Sequence, residues 1–281
     1  MFSPLYHDIV KLALLEDLML GDITSDNLID SQQLSTAHIK AKAPGVLAGS
    51  EIAAYVFKQV DPSIDYNALC GDGARLKPGT GIARIRGKTA GLLKAERVAL
   101  NFLQHLSGIA TLTSLFVKKV DDLPVKIADT RKTTPGLRVL EKHAVLSGGG
   151  YNHRLHLGDS YLIKNNHLAA LKRKGQNISA VIKRAKTATS IIKKVIEIEV
   201  ATIEDAIEAA QAQADIIMLD NMPPAQMRKA VAAIKGRAII EASGGVHLEN
   251  VRRIALTGVD IISVGALTHS ASALDISMTL D

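Results

Sequence analysis

The 281-residue chain has one cysteine, no tryptophan and only 3% aromatic residues. Cys70 has no second thiol to pair with, so no internal disulfide is possible; the expectation is a reducing compartment, the cytoplasm, rather than secretion. So few aromatic rings leave little on which to stack single-stranded bases, and the basic residues are not gathered into one tail, so nucleic acid is not an expected partner. The first twenty residues interrupt their leucines with Asp8, Glu16 and Asp17, which does not fit the apolar core of a signal peptide. No apolar run is long enough to cross a bilayer, so no membrane association is expected. What is present is an ordinary globular balance, 47% hydrophobic and 22% charged, with a net charge of +6 whose field favours anionic partners.

The first hundred residues read as a mixed α/β domain. Leu5 to Leu20 suits a helix ended by Gly21, followed by a turn at Asp22-Ile23-Thr24. Thr36 to Val46 alternates as a strand, and Gly71-Asp72-Gly73 and Lys77-Pro78-Gly79-Thr80-Gly81 carry turn chemistry. Leu92 to Leu106 repeats its apolar residues at helical spacing.

The second half has a rhythm. Val195–Glu199, Ile216–Asp220, Ala238–Glu241 and Asp260–Ser263 read as strands, and their last residues are 21, 21 and 22 positions apart, one strand and one helix each. Val125–Ala128, ending at Asp129, and Tyr161–Ile163, ending at Lys164, extend the series upstream. Runs such as Ile216-Ile217-Met218-Leu219 suit strands covered on both faces, and right-handed crossovers close such an array into a barrel or a doubly wound sheet. Chemistry then belongs at the carboxyl ends of the strands. Asp129, Lys164, Glu199, Asp220, Glu241 and Ser263 are all expected there, and burying six polar residues for packing alone would be costly.

Three constellations stand out. From Lys126 to Lys164 there are seven basic residues (Lys126, Arg131, Lys132, Arg138, Lys142, Arg154, Lys164) against three acids (Asp129, Glu141, Asp159). Arg forks grip carboxylates and phosphates in pairs and Lys supplies a point charge, so the mixture suits a small ligand with several anionic groups; the bland reading is a solvated basic face. Ser243-Gly244-Gly245 and Gly265-Ala266 follow successive strands, where glycines let backbone N–H groups approach a phosphate. Glu199 and Asp220, on adjacent strands, either hold Mg²⁺ or neutralise nearby Lys and Arg. The His153–His156 neighbourhood has no cysteine or third ligand at suitable spacing for structural zinc.

Taken together these stretches resemble the quinolinate phosphoribosyltransferases, the carboxylating nicotinate-nucleotide pyrophosphorylases. The resemblance runs through Glu16-Asp17, Gly21-Asp22-Ile23-Thr24, Ala95 to Phe102, Leu106-Ser107-Gly108-Ile109-Ala110-Thr111 and Asp129 to Arg138. It continues in Gly148 to Gly150, Asn152-His153-Arg154, Ile163-Lys164-Asn165-Asn166-His167, Leu219-Asp220-Asn221, Ser243-Gly244-Gly245 and Gly265 to Ser270.

The resemblance implies an N-terminal α/β sandwich domain over residues 1–106, with the tail from about 270 to 281 packing back on it. It also implies an incomplete, seven-stranded-like α/β barrel of the type II phosphoribosyltransferases over 107–269. It implies a homodimer, or a higher assembly, with active sites at the subunit interface. The reaction would convert quinolinate and phosphoribosyl pyrophosphate to nicotinate mononucleotide, CO₂ and pyrophosphate, in NAD biosynthesis. Arg131, His153, Arg154 and Lys164 would grip the pyridine dicarboxylate, with Arg97 reaching in from a partner subunit. Lys132, Glu199 and Asp220 would face the phosphoribosyl pyrophosphate and its Mg²⁺, and Ser243, Gly244, Gly265 and His269 the 5′-phosphate. Lys132, Lys164, Glu199 and Asp220 are thus the expected catalytic residues, and Glu199 and Asp220 the expected metal ligands.

Three positions depart from the family pattern. Asn165 stands where relatives commonly have Asp or Glu, His156 where Gly is usual, and His143 where Tyr is usual. Several rival readings fit the motifs less well. A related protein of molybdenum transport clusters shares the fold but lacks the full Asp-Thr-Arg-Lys-Thr and Ile-Lys-x-Asn-His runs. Nicotinate phosphoribosyltransferase needs fewer basic groups for its mono-acid substrate. A non-catalytic barrel binding phosphorylated ligands has no use for the basic cluster, and a Schiff-base role for Lys164 leaves the phosphate and dicarboxylate motifs unexplained.

Overall fold

The computed structural model describes residues 5–173, 175–188, 193–234 and 236–281. Its contacts divide the chain into two compact units. The first runs to Ser114 and adds Thr133–Gly149 and Leu267–Asp281; the second comprises Leu115–Lys132 and Gly150–Ala266.

In chain order, the first unit opens with helix α1 (Leu5–Leu18) and helix α2 (Ile23–Leu28). The turn expected at Asp22-Ile23-Thr24 is in fact the start of α2. Asp22 Oδ1 accepts hydrogen bonds from the Thr24 and Ser25 N–H groups, both at 3.0 Å, and so caps the helix. The strand expected over Thr36–Val46 is divided into β1 (Leu34–Ala41) and β2 (Gly45–Val46), and α3 (Ser50–Val60) follows. Asp72 stands in for a capping side chain at α3, where Gly49 offers none. Its two oxygens accept from Gly49 N and Ser50 N at 2.9 and 3.0 Å.

Then come β3 (Asp65–Ala68), β4 (Arg75–Leu76), β5 (Gly81–Lys88) and the 30-residue helix α4 (Thr89–Lys118). Strand β1 pairs antiparallel with β5, and β2 with β4. The apolar stripe of α4 is longer than the expected Leu92–Leu106, because Ile109, Ala110 and Phe116 continue the buried face. Gly108 does not break it. A β-carbon there would collide with the backbone of Ser272, so the glycine permits a close approach within this unit.

The second unit begins its sheet with β6 (Lys126–Ala128); helix α5 (Arg138–Ser147) belongs to the first unit. Next are β7 (Tyr161–Ile163), α6 (Asn165–Lys172), α7 (Ile178–Ala188), β8 (Ile196–Val200), α8 (Ile203–Gln211), β9 (Ile216–Asp220) and α9 (Pro224–Ile234). Strand β10 (Ile239–Ser243), α10 (Val251–Ala255) and β11 (Ile261–Ser263) complete it; the short α11 (Ala266–His269) follows, and from Leu267 on the chain belongs to the first unit. Among the described residues these strands form a six-stranded sheet ordered β6-β11-β10-β9-β8-β7, whose pairs are all parallel. A parallel bridge joins Ala128 to Tyr151 beside β6. This is the α/β, barrel-like sheet that the 21–22-residue rhythm implied. Its strands are buried on both faces: Ile198, Ile217, Leu219, Ala242 and Ile262 are fully enclosed on one, and Glu197, Met218 and Glu241 are buried on the other.

The last strand, β12 (Ile276–Leu280), pairs antiparallel with β1, giving the first unit a four-stranded sheet ordered β12-β1-β5-β3. No helix among the described residues is long and apolar enough to cross a membrane.

Candidate active site

The second unit holds a cavity of about 530 Å³ at the carboxyl ends of its parallel strands. Five basic or aromatic-basic side chains border it: Arg131 and Lys132 from the loop after β6, His153 and Arg154 from the segment after Tyr151, and Lys164 from the end of β7. The cavity is also bordered by Glu199 on β8, Asp220 at the end of β9 and Ser243 at the end of β10. Separate strand tips therefore bring eight of the expected site side chains to one concavity, cations together with a carboxylate pair.

The backbone that presents these groups is anchored from below. Asp129 lies wholly buried after β6, so it is not a solvent-facing strand end. Its Oδ1 accepts from His153 N at 2.9 Å, and its own N–H donates to Tyr151 O at 3.0 Å. One carboxylate thus ties the Arg131 loop to the Asn152-His153-Arg154 segment. Lys164 is held at the start of α6, where its N–H donates to His167 Nδ1 at 2.9 Å.

Two of the cations are poorly compensated. The Nε groups of Arg131 and Arg154 are buried and have no hydrogen-bond partner, although Arg154 Nη1 donates to Ser160 O at 3.0 Å. Burial, and then the neighbouring Arg131 charge, hold the Arg154 guanidinium below its ordinary pKa. Two partly desolvated guanidiniums that repel each other are a site made for an anion.

The carboxylates show the opposite strain. Burial, and then the charge of Asp220, push the Glu199 carboxyl up, while Lys164 pulls it back down. Asn165 Nδ2 donates to Glu199 Oε1 at 2.7 Å, and Asn221 Nδ2 donates to Asp220 Oδ1 at 3.0 Å. Two like charges border one cavity, with Lys164 acting on Glu199 as well, so a divalent cation and a lysine partner both remain open readings of this pair.

Glu241 corrects the sequence reading. Strand β10 runs two residues past it to Ser243, so Glu241 is not the strand end but an interior residue with no exposed surface. It meets Glu197, which the sequence reading missed because Glu197 sits inside an apolar β8 run and resembles an ordinary outward-facing residue. His153 Nε2 lies 3.0 Å from Glu197 Oε2 and 3.6 Å from Glu241 Oε2. Burial, and then the Glu197 charge, push the Glu241 carboxyl up to about 7.

The remaining expected residues lie elsewhere. Gly244 and Gly265 follow β10 and β11 but do not border the cavity. Gly244 has φ +92, and a β-carbon there would collide with the Asn221 side chain, so this turn requires glycine. His269 belongs to the first unit, where its Nδ1 is 2.6 Å from Ser270 Oγ. Arg97 also belongs to the first unit and borders a separate cavity of about 340 Å³ with Glu16, Asp17, Asn101 and His105.

The departures from the family pattern each have a local partner. His143 Nε2 is 2.8 Å from Asp72 Oδ2, and His156 Nε2 is 2.8 Å from Asp159 Oδ1.

Comparison with known proteins agrees with this architecture. The model of the quinolinate phosphoribosyl transferase N-terminal domain matches residues 22–107, and that of the C-terminal domain matches residues 109–279. A probable carboxylating nicotinate-nucleotide pyrophosphorylase of Bacillus subtilis is 45% identical over 264 residues, covering 94% of this chain and 89% of that protein. A carboxylating nicotinate-nucleotide pyrophosphorylase of Mycobacterium leprae is 42% identical, covering 97% and 96%. The crystal structure of NadC from Streptococcus pyogenes superposes with a TM-score of 0.94 at 41% identity, covering 100% of this chain and 98% of that one. The chain belongs to the quinolinate phosphoribosyltransferase family.

Proposed function

We propose that this protein is the decarboxylating quinolinate phosphoribosyltransferase, converting quinolinate and phosphoribosyl pyrophosphate to nicotinate mononucleotide, CO₂ and pyrophosphate. The observation that carries the reading is the pair of buried, unpartnered guanidinium Nε groups of Arg131 and Arg154, bordering one cavity with Lys164. A mono-acid ligand would leave part of this positive charge unanswered, whereas a pyridine dicarboxylate answers it.

In this reading Arg131, Arg154 and Lys164 bind the two carboxylates and orient the ring so that its nitrogen faces C1 of the ribose. His153 belongs to the same grip through the groups it does not turn toward Glu197. The ring nitrogen forms the new bond to C1 as the C1–oxygen bond to pyrophosphate breaks, and positioning by fixed cations supplies much of the rate. The C2–carboxylate bond then breaks, CO₂ leaves, and the electron pair at C2, stabilised by the cationic ring nitrogen, takes up a proton.

Glu199 and Asp220 would hold Mg²⁺, whose repelling carboxylates favour such an ion. When bound, Mg²⁺ neutralises charge on the departing pyrophosphate. Lys132 borders the same cavity as Arg131 and is assigned to the phosphoribosyl pyrophosphate. Ser243 and the Gly244 turn are assigned to its 5′-phosphate, and the same role for Gly265 and His269 rests on the family resemblance alone. The reading also includes a homodimer in which Arg97 serves the partner's site, and a cytoplasmic location consistent with a single cysteine.

The test is a steady-state assay with quinolinate, phosphoribosyl pyrophosphate and Mg²⁺, following CO₂ and mononucleotide together, with nicotinate as the control. Equal release of both products from quinolinate, and little product from nicotinate, is the expected result. Mononucleotide formed from nicotinate as fast as from quinolinate would overturn the reading.

A further inference from the structure

Beneath the basic rim, His153, Glu197 and Glu241 form a cluster that the proposed reaction leaves unused. Each offers one ligand atom, and the three atoms lie within 4.8 Å of one another. Glu197 and Glu241 are 1% and 0% exposed. Both oxygens of Glu241, Oε1 of Glu197 and Oγ of the buried Ser263 have no hydrogen-bond partner. A buried carboxylate normally accepts several hydrogen bonds, and leaving it without any carries a large desolvation penalty. Here Glu241, with neither oxygen hydrogen-bonded, and Glu197, with Oε1 left over, converge on one imidazole edge.

The spacing suits an ion. Ligands held about 2.0–2.2 Å from a tetrahedral zinc are separated by roughly 3.3–3.6 Å from each other. The observed separations of His153 Nε2 from Glu197 Oε2 and Glu241 Oε2 are 3.0 and 3.6 Å. A nitrogen ligand with two carboxylates selects a borderline transition-type dication over Mg²⁺, which prefers an all-oxygen, partly hydrated shell. His153, Glu241 and Ser263 border the 530 Å³ cavity, so an ion has a route in.

We propose that His153, Glu197 and Glu241 form a second metal site, distinct from Glu199 and Asp220, that binds one divalent ion of the zinc class at the cavity floor. Glu197 lies two residues before Glu199 on β8, about 6–7 Å along the strand, so the two sites share a wall without sharing a ligand. An ion there draws His153 Nε2 inward and fixes the ring below the Arg131–Arg154 pair.

The experiment uses the full chain, stripped with a chelator and then held in excess Mg²⁺, with Co²⁺ as the spectroscopic probe and Zn²⁺ as its competitor. Wild type is expected to bind one Co²⁺ per chain, with visible d–d absorption of a low-coordinate nitrogen and oxygen site, and to release it to one equivalent of Zn²⁺. Glu241→Gln and Glu197→Gln are each expected to weaken binding at least tenfold, while the double variant Glu199→Gln/Asp220→Asn binds Co²⁺ as wild type does. Circular dichroism checks that each variant is folded, and the wild-type titration needs no variant at all. Absence of binding to wild type overturns the proposal. So does undiminished binding in either folded glutamate variant, loss of binding in the Glu199/Asp220 variant, or a thiolate charge-transfer band that would locate the ion at Cys70. None of these readouts depends on turnover, so the substrate reading stands or falls separately.

Discussion

Asn165 donates a 2.7 Å hydrogen bond from Nδ2 to Glu199 Oε1, placing a neutral amide beside the carboxylate pair. The amide relieves Glu199 of part of the repulsion from Asp220 without adding charge. Replacing it with an acid would add a third negative group and remove a donor. Asn165→Asp is therefore expected to lower the Mg²⁺ concentration for half-maximal activity by roughly three- to tenfold, since added ligand charge tightens hard-cation sites. It is also expected to lower the thermal midpoint of the metal-free protein by a few degrees, on the order of 1 kcal/mol for the lost charge-assisted bond. A metal titration of activity with a parallel melting curve checks both directions.

The guanidinium pair makes function and stability diverge. Arg131→Ala removes one of two mutually repelling, part-buried charges, so its melting temperature should equal or exceed that of wild type. Its kcat/KM for quinolinate should fall by about a hundredfold or more, the usual cost of losing a desolvated charge-assisted contact of about 3 kcal/mol. Lys164→Ala should behave similarly in turnover while remaining folded. Calorimetric melting beside steady-state kinetics tests the pair of outcomes.

Glu241 gives a pH signature. Its folded-state pKa, pushed up to about 7 by burial and by Glu197, lies above the ordinary glutamate value. The protonated form thus favours folding below the ordinary value, and that contribution is lost as pH rises through about 7. Glu241→Gln keeps the neutral form at every pH. In chelator-treated protein, the melting temperature of Glu241→Gln relative to wild type is expected to rise between pH 5 and pH 8; a flat or falling difference would remove this explanation of the cluster.

In the first unit, Asp72 accepts from Gly49 N, Ser50 N and His143 Nε2. Burial alone would push its carboxyl up, but these bonds outweigh burial and hold it below the usual range. Its stabilisation is present above the ordinary aspartate value and is lost as pH falls through the folded value. Asp72→Ala is expected to destabilise the protein by about 1–3 kcal/mol near neutrality, with a smaller effect in acid. Denaturant melts at two pH values measure it.

The proposed partner role of Arg97 makes a mixing prediction. Arg97→Ala and Arg131→Ala homomers should each be nearly inactive, and co-refolded mixtures should regain activity because some hybrid sites carry both arginines. No recovery on mixing would place Arg97 outside the partner's site.

Much of this architecture was legible in the chain because fully covered strands have little freedom in composition. Ile216–Asp220 and Tyr161–Ile163 were read at their observed limits, since apolar runs ending in one charged residue are what a parallel barrel strand requires. The basic cluster was legible in part: Arg131, Lys132, Arg154 and Lys164 border the cavity, whereas Lys126 lies over the Tyr151 ring, Arg138 bonds Thr133 and Lys142 is buried on α5. Glu241 was misread because the first polar residue after an apolar run looks like an end, whereas the strand continues to Ser243 and turns the glutamate inward. Glu197 left no signal, since its meaning lies in meeting Glu241 and His153 from other strands. Likewise α4 passes through Ser107-Gly108, a pattern that suggests a stop, because Gly108 is needed for the approach of Ser272. Local pattern reports how a residue is covered, but not which distant residue covers it.

The most direct test of the central claim is calorimetric binding of quinolinate and of nicotinate to wild type and Arg131→Ala. The account requires wild type to prefer the dicarboxylate by roughly tenfold or more, worth about 1.4 kcal/mol or above, and the preference to collapse in the variant. Equal affinity of wild type for the two acids, or a preference that survives loss of Arg131, would contradict it.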